Sequence, residues 1–166
     1  MILLNPKKAG YEREMPYTHF YHILLPILFI TICILDKSFL RISTIFDAFV
    51  PFVLRLILFG LILIIALSFI QVSHKTLFKS HQPPTSLIKK GILGRTRNPM
   101  YFGILLIYVA CICLSISLVS IAVFFLIFIV YNNMVKFEEK ILENLFGDQF
   151  LEYKKTVPRW FPKIRN

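Results

Sequence analysis

The sequence predicts an all-α integral membrane protein with about four transmembrane helices and a C-terminal amphipathic helix on the cytoplasmic side. Hydrophobic residues make up 57% of the 166 residues, and the mean hydropathy is +0.70. Charged residues are only 17% of the chain and lie in clusters between long apolar runs, whereas soluble domains have about a quarter charged residues. The length fits a single membrane domain, residues 1–166.

Four apolar segments have about the length needed to cross a bilayer. They cover approximately residues 17–35, 51–72, 99–116 and 119–135. Asp36 and Lys37 follow the first segment directly, where a cleaved signal peptide would have small residues. We therefore expect the first segment to be a retained helix.

The third and fourth segments belong to one uncharged run, residues 98–135. A single helix of these 38 residues would be roughly 57 Å long, about twice the thickness of the hydrocarbon core. We therefore predict a helical hairpin, with its bend marked by Ser115, Ser117 and Ser120.

The distribution of basic residues predicts the orientation in the membrane. The connection 74–98 contains six Lys/Arg and the tail 136–166 contains seven, whereas the loop 36–50 contains two. Because Lys and Arg accumulate on the cytoplasmic side, both termini are predicted to be cytoplasmic. The net charge of +10 then suits contact with anionic lipid, and we expect no nucleic-acid partner.

The predicted hairpin brings two polar segments together at the membrane surface. One is Asn98–Tyr101, and the other is Lys136–Glu139. Polar groups at this depth are costly unless paired, which makes the spot a candidate functional site; ordinary solvated helix flanks remain the alternative. The residues that follow share one helical face and predict an interfacial amphipathic helix or a lid. They are Phe137, Ile141, Leu142, Leu145 and Phe146.

Metal binding is not indicated by the sequence. The three cysteines lie inside apolar runs without a Cys-x-x-Cys spacing, and His19 and His22 lack a third ligand. We expect no metal site.

An ordered series of short motifs carries a family resemblance. It consists of Gly91, Arg97–Gly103, the pair Glu138-Glu139, Phe146-Gly147, Tyr153 and Val157-Pro158. In this order, across a membrane hairpin, the series resembles the isoprenylcysteine carboxyl methyltransferase and phospholipid methyltransferase superfamily of integral membrane enzymes. The resemblance covers roughly residues 78–162, and the first two helices carry no matching signature. Asn98 stands where the family pattern has histidine.

The resemblance implies S-adenosylmethionine as cofactor, bound by a loop and motif over residues 78–103 and by an acid on the last span. It assigns cofactor contacts to Thr85, Ser86, Leu87, Ile88, Leu93, Asn98, Pro99, Met100, Tyr101 and Glu138. Among these, Glu138 can pair with the cofactor ammonium, Tyr101 can face a cation, and the neighbouring Arg97 can meet the cofactor carboxylate.

Catalytic roles are expected for Arg97, Asn98, Tyr101 and Glu138, and substrate contacts for Lys136 and Arg159. The side chain of Glu139 is expected about 100° away from that of Glu138, toward the tail and solvent.

The acceptor is expected to be a lipophilic small molecule or a lipidated compound from the bilayer, with a thiol, carboxylate or amine as nucleophile. The prenylcysteine enzymes bind the substrate carboxylate with an arginine, and its position falls near Met134 in this chain. Because that arginine is missing, a less acidic acceptor is expected. The alternatives are a nicotinamide-dependent membrane reductase of the related sterol reductase type and a non-catalytic helical membrane protein. The oligomeric state stays open.

Overall fold

The computed structural model describes residues 17–40, 49–77 and 87–163. All regular structure in these residues is helical, which confirms the all-α prediction. The five α-helices are α1 (Thr18–Leu35), α2 (Phe52–Leu77), α3 (Pro99–Ser115), α4 (Leu118–Phe146) and α5 (Asp148–Thr156). A π-helical segment, Asp36–Leu40, extends α1, and a 3₁₀ turn, Gly91–Gly94, precedes α3.

Three helices in the described residues are long and apolar enough to cross a membrane. They are Thr18–Phe39, Phe52–Leu77 and Leu118–Phe146, of 22, 26 and 29 residues. The third predicted span, 99–116, corresponds to α3, an apolar helix of 17 residues, which is roughly 25 Å long. Exposed aliphatic and aromatic side chains run along α1 and α2, as expected of surfaces that face lipid.

The predicted hairpin and its bend are confirmed. Helix α3 ends at Ser115, and Ile116 takes the left-handed conformation (φ 44°, ψ 47°) that reverses the chain. The Ser117 hydroxyl accepts a hydrogen bond from the Ser120 amide at 3.1 Å, which caps the start of α4. It also donates to Oδ2 of Asp36 at 2.5 Å, so the end of α1 lies against the bend.

Helix α1 runs beside α3 and α4, and together they form the main apolar core. Its fully or nearly buried members are Leu25, Phe29, Leu105, Tyr108, Ile127, Tyr131 and Met134. Helix α2 packs on the other side of α3, where Gly103 lets the two backbones approach closely. The start of α3, the later turns of α4, and α5 lie at one end of the bundle, called here the basic end.

Helix α4 differs from the prediction in its length. The span was expected at 119–135 with a separate amphipathic helix in the tail, but α4 continues unbroken to Phe146. No glycine or proline interrupts the sequence before Gly147, whose φ of 51° ends the helix. The predicted amphipathic face is therefore the last part of α4, and its Leu142 and Phe146 pack against Phe150 and Tyr153 of α5.

Candidate functional site

The Asn98-Pro99 step fixes where α3 begins at the basic end. Pro99 occupies the first helical turn, where its missing N–H costs no hydrogen bond. Asn98 precedes the helix with φ −127° and ψ 57°, and its side chain does not cap the helix. Instead, its Nδ2 donates to Oε1 of Glu139 at 3.1 Å. The start of α3 is thereby tied to α4, as the hairpin prediction required.

Glu139 is the centre of an ion cluster, and this corrects the expectation that it faces solvent. The residue is 4% exposed. Its Oε2 accepts from Nη2 and Nε of Arg159 at 2.7 and 3.1 Å, and its Oε1 lies 3.1 Å from Nε of Arg97. The side chain does point toward the tail, but the tail folds over it, so that direction leads into the protein and not into solvent.

Arg97 has its other contacts within the same cluster. Its Nη1 donates to the carbonyl of Lys154 at 3.1 Å, and its backbone N–H donates to the carbonyl of Pro158 at 2.9 Å. Nε of Arg97 is close to Glu139 but lacks the alignment of a hydrogen bond. The guanidinium therefore joins the start of α3 to α4 and α5, and the backbone N–H joins it to the tail after α5.

The tail after α5 runs along the segment that precedes α3. Lys163 N–H donates to the carbonyl of Arg95 at 2.8 Å, and Oγ1 of the buried Thr96 lies 3.1 and 2.9 Å from the carbonyls of Arg159 and Trp160. The hydroxyl of Tyr153 donates to the carbonyl of Leu93 at 2.5 Å. Burial raises the pKa of Tyr153 to about 12, with Arg97 nearby opposing the shift. The tail and α5 thus cover the segment, residues 93–97, that leads into α3.

Glu138 faces a different environment from that of its neighbour. Its side chain is half-buried, and Oε1 accepts a hydrogen bond from the hydroxyl of Tyr101. Tyr101 lies two residues after Pro99, so the first turn of α3 presents this phenol to α4. A carboxylate and an aromatic ring are therefore held together beside the ion cluster.

A row of aromatic rings leads from Tyr101 into the bundle. The imidazole of His22 stacks on Tyr101 with ring centroids 5.8 Å apart and lies 5.6 Å from the ring of Tyr131. The Tyr131 hydroxyl is 3.5 Å from Nδ1 of His22 and 3.5 Å from the hydroxyl of Tyr108. Phe29 closes the row, with its centroid 5.1 Å from that of Tyr108.

His22 was not among the residues that the sequence singled out for this site. Helix α1 carries no recognisable motif, and a histidine on an apolar helix is weak evidence by itself. The available signal was an ionisable side chain inside a predicted span, which is a functional candidate by default.

The other predicted contact residues lie around the same end. Leu93 and Pro99 are buried, and Leu87, Ile88 and Met100 are half-buried. Lys136 is exposed on α4, while Met134 is fully buried in the apolar core. Thr85 and Ser86 fall outside the described residues. In the part of the chain that the structure describes, no group of three His, Cys, Asp or Glu side chains could hold a metal ion.

Comparison with known proteins gives one result. The family model described as phospholipid methyltransferase matches residues 48–149. No curated protein and no solved structure matches the chain. The matched range contains α2, α3 and α4, so it includes α2, which lies outside the motifs of the resemblance. More than half of the chain fits this model, and the chain therefore belongs to the phospholipid methyltransferase family.

Proposed function

We propose that the chain is an S-adenosylmethionine-dependent methyltransferase that acts on a lipophilic acceptor within the bilayer. The observation that carries the proposal is the pairing of Tyr101 with Glu138, next to the aromatic row. The family match supplies the reaction type, because its members are described as phospholipid methyltransferases.

The residues around Tyr101 suit the cofactor chemically. The half-buried Glu138 can accept the ammonium group, and a charge-assisted hydrogen bond of this kind is worth about 1.5–3 kcal/mol. The rings of Tyr101 and Tyr131 can face a sulfonium cation. When bound, the cofactor supplies an electrophilic methyl group. The role of the protein is to align the acceptor with that methyl group and to exclude water.

Arg97, Asn98 and Arg159 receive a supporting role in this proposal. All three are engaged with Glu139 or with backbone carbonyls. A carboxylate bound by two guanidinium groups and an amide has little capacity left for a ligand. We therefore assign this cluster to holding the start of α3 and the tail in place, and assign cofactor contact to Tyr101 and Glu138.

The proposed acceptor is a phospholipid with an amine headgroup. The description of the matched family names phospholipids, and the amine is the usual nucleophile in such headgroups. Met134 offers no donor for a substrate carboxylate and is fully buried. A prenylcysteine acid would therefore lack an arginine partner at this position and should be a poor acceptor.

The proposed topology has four spans, with both termini in the cytoplasm. Helix α3 is counted as a span, the third in chain order, because it pairs with α4 in a hairpin and packs along α2. The basic end then lies at the cytoplasmic surface, where the soluble cofactor is available.

A thermal-shift panel and a transfer assay test the proposal. In detergent, adenosylhomocysteine should raise the melting temperature of the protein, because a ligand that binds only the folded state stabilises it. NADPH should not. Labelled S-adenosylmethionine should transfer methyl to an aminophospholipid in nanodiscs, and much less to a farnesylated cysteine acid, a thiol or a phenol. Stabilisation by NADPH alone would favour the reductase, and no response to either ligand would favour a non-catalytic protein.

A further inference from the structure

A lipid amine poses a chemical requirement that the cofactor-binding residues do not meet. An alkylammonium group has no lone pair, and it loses its proton only near pH 10 in water. Methyl transfer at neutral pH therefore needs a base that takes this proton before or as the N–C bond forms.

Two carboxylates in the described part of the basic end already have partners or an assigned role. Glu139 is held by two arginines and Asn98, and Glu138 is assigned to the cofactor ammonium. Asn98 occupies the motif position where the superfamily pattern has histidine, and an amide does not take up a proton. Tyrosine hydroxyls are neutral donors at this pH. The imidazole of His22 is the side chain in this cluster suited to accept a proton near neutrality.

His22 also has a suitable position. It is half-buried on the second turn of α1, and its ring stacks on Tyr101, whose hydroxyl is bonded to Glu138. An acceptor nitrogen beside Tyr101 would therefore be near both the imidazole and the proposed cofactor carboxylate. Tyr131 of α4 lies 3.5 Å from Nδ1 and orients the ring from the other side.

We propose that His22 is the proton acceptor for the amine of the lipid acceptor, a catalytic role that rests on the proposed function. The proton passes from the ammonium nitrogen to an imidazole nitrogen. The freed lone pair forms the N–C bond to the methyl group of the sulfonium donor, and the electron pair of the C–S bond stays on sulfur. The imidazolium then returns its proton to water.

The test compares His22→Gln with His19→Gln in the full chain, reconstituted in nanodiscs that contain dioleoylphosphatidylethanolamine. His19 is exposed on the preceding turn of the same helix, so its substitution controls for the loss of an imidazole from α1. At pH 7, His22→Gln should lower the rate of methyl transfer by about 100-fold or more, the usual range for a general base. His19→Gln should leave the rate within about threefold of that of the unmodified protein.

Two further readouts separate a proton acceptor from a structural residue. The thermal shift produced by adenosylhomocysteine should be unchanged in His22→Gln. The rate of this variant should rise about tenfold per pH unit between pH 7 and 9, because the fraction of free amine rises by that factor below its pKa. The rate of the unmodified protein should rise less with pH, so the difference in rate between it and His22→Gln should become smaller toward pH 9.

Each contrary outcome has a definite meaning. Near-normal transfer by His22→Gln at pH 7 would overturn the role of His22 alone. A loss of the thermal shift, or an equal loss of rate at every pH, would assign His22 to structure and also overturn the role. Absence of both transfer and thermal shift in the unmodified protein would overturn the proposed function together with this inference.

Discussion

Two adjacent glutamates on α4 have opposite surroundings at the residue scale. Glu139 is buried between Arg97 and Arg159, whereas the half-buried Glu138 accepts a hydrogen bond from the phenol of Tyr101. Removing one partner of a buried ion pair destabilises a protein by about 3–5 kcal/mol, because the remaining charges lose their compensation. Loss of a ligand contact leaves the fold largely intact.

Glu138→Gln should therefore reduce ligand affinity, and Glu139→Gln should reduce the stability of the fold. We expect Glu138→Gln to weaken adenosylhomocysteine binding by roughly 10- to 100-fold with little change in melting temperature. We expect Glu139→Gln to lower the melting temperature of the ligand-free protein, since the amide that replaces it carries no charge to balance the two arginines.

Thermal melts in detergent with and without adenosylhomocysteine measure both effects, and each variant is the matched control for the other. Equal losses of affinity with unchanged melting temperatures would contradict this division of roles.

At the scale of elements, Gly103 determines how closely α2 and α3 pack. A Cβ added at this position would lie 2.8 Å from Cγ1 of Ile70 and 2.9 Å from the carbonyl oxygen of Ala66. The second contact is with backbone, which moves only if the helices separate. Small residues of this kind permit the close helix packing that stabilises membrane bundles.

Gly103→Ala should destabilise the protein by about 1–3 kcal/mol, the usual cost of overpacking. Gly60→Ala is the matched control, because Gly60 lies in α2 with nothing within 4 Å of its added Cβ. There the alanine should be neutral or should stabilise by about 0.5–1 kcal/mol through its better helix propensity. Denaturant unfolding in mixed micelles compares the two variants, and equal effects would show that the close approach at Gly103 does not matter.

At the scale of the whole molecule, the tail after α5 packs across the basic end. Backbone hydrogen bonds join Arg97 to Pro158 and Lys163 to Arg95, and the hydroxyl of Tyr153 reaches Leu93. Segments far apart in the chain thus form one layer over the motif. The exposed Lys89, Lys90 and Lys136 lie in the same part of the molecule, where they can contact anionic headgroups.

Cysteine labelling tests the topology that this arrangement implies. Single cysteines at Lys90 and Lys163, both exposed, should react with an impermeant maleimide only from the cytoplasmic side. A cysteine at Leu118 should react only from the opposite side. Leu118 is 51% exposed, whereas the neighbouring Ser117 is 1% exposed and bonded to Asp36, so Leu118 is the better probe of the bend. Labelling of Leu118 and Lys163 from one side would exclude the proposed four-span topology.

Composition and local pattern were sufficient for the helical class, the hairpin, its serine-rich bend and the meeting of Asn98–Tyr101 with the Glu138-Glu139 pair. These follow from apolar length, charge position and the fixed rise of a helix, which are properties of the chain alone. The last span, 119–135, was predicted as separate from the amphipathic helix after it, because charged residues begin at Lys136; in the structure both belong to α4, which ends before Gly147.

Only the tertiary structure decided which glutamate of the pair is buried and which is not. Helical periodicity gives the angle of about 100° between neighbouring side chains, but it does not say what lies on either side. Here the tail covers Glu139, and α1 brings His22 against Tyr101. Both contacts join residues distant in sequence, so they depend on how the helices pack and leave no local pattern.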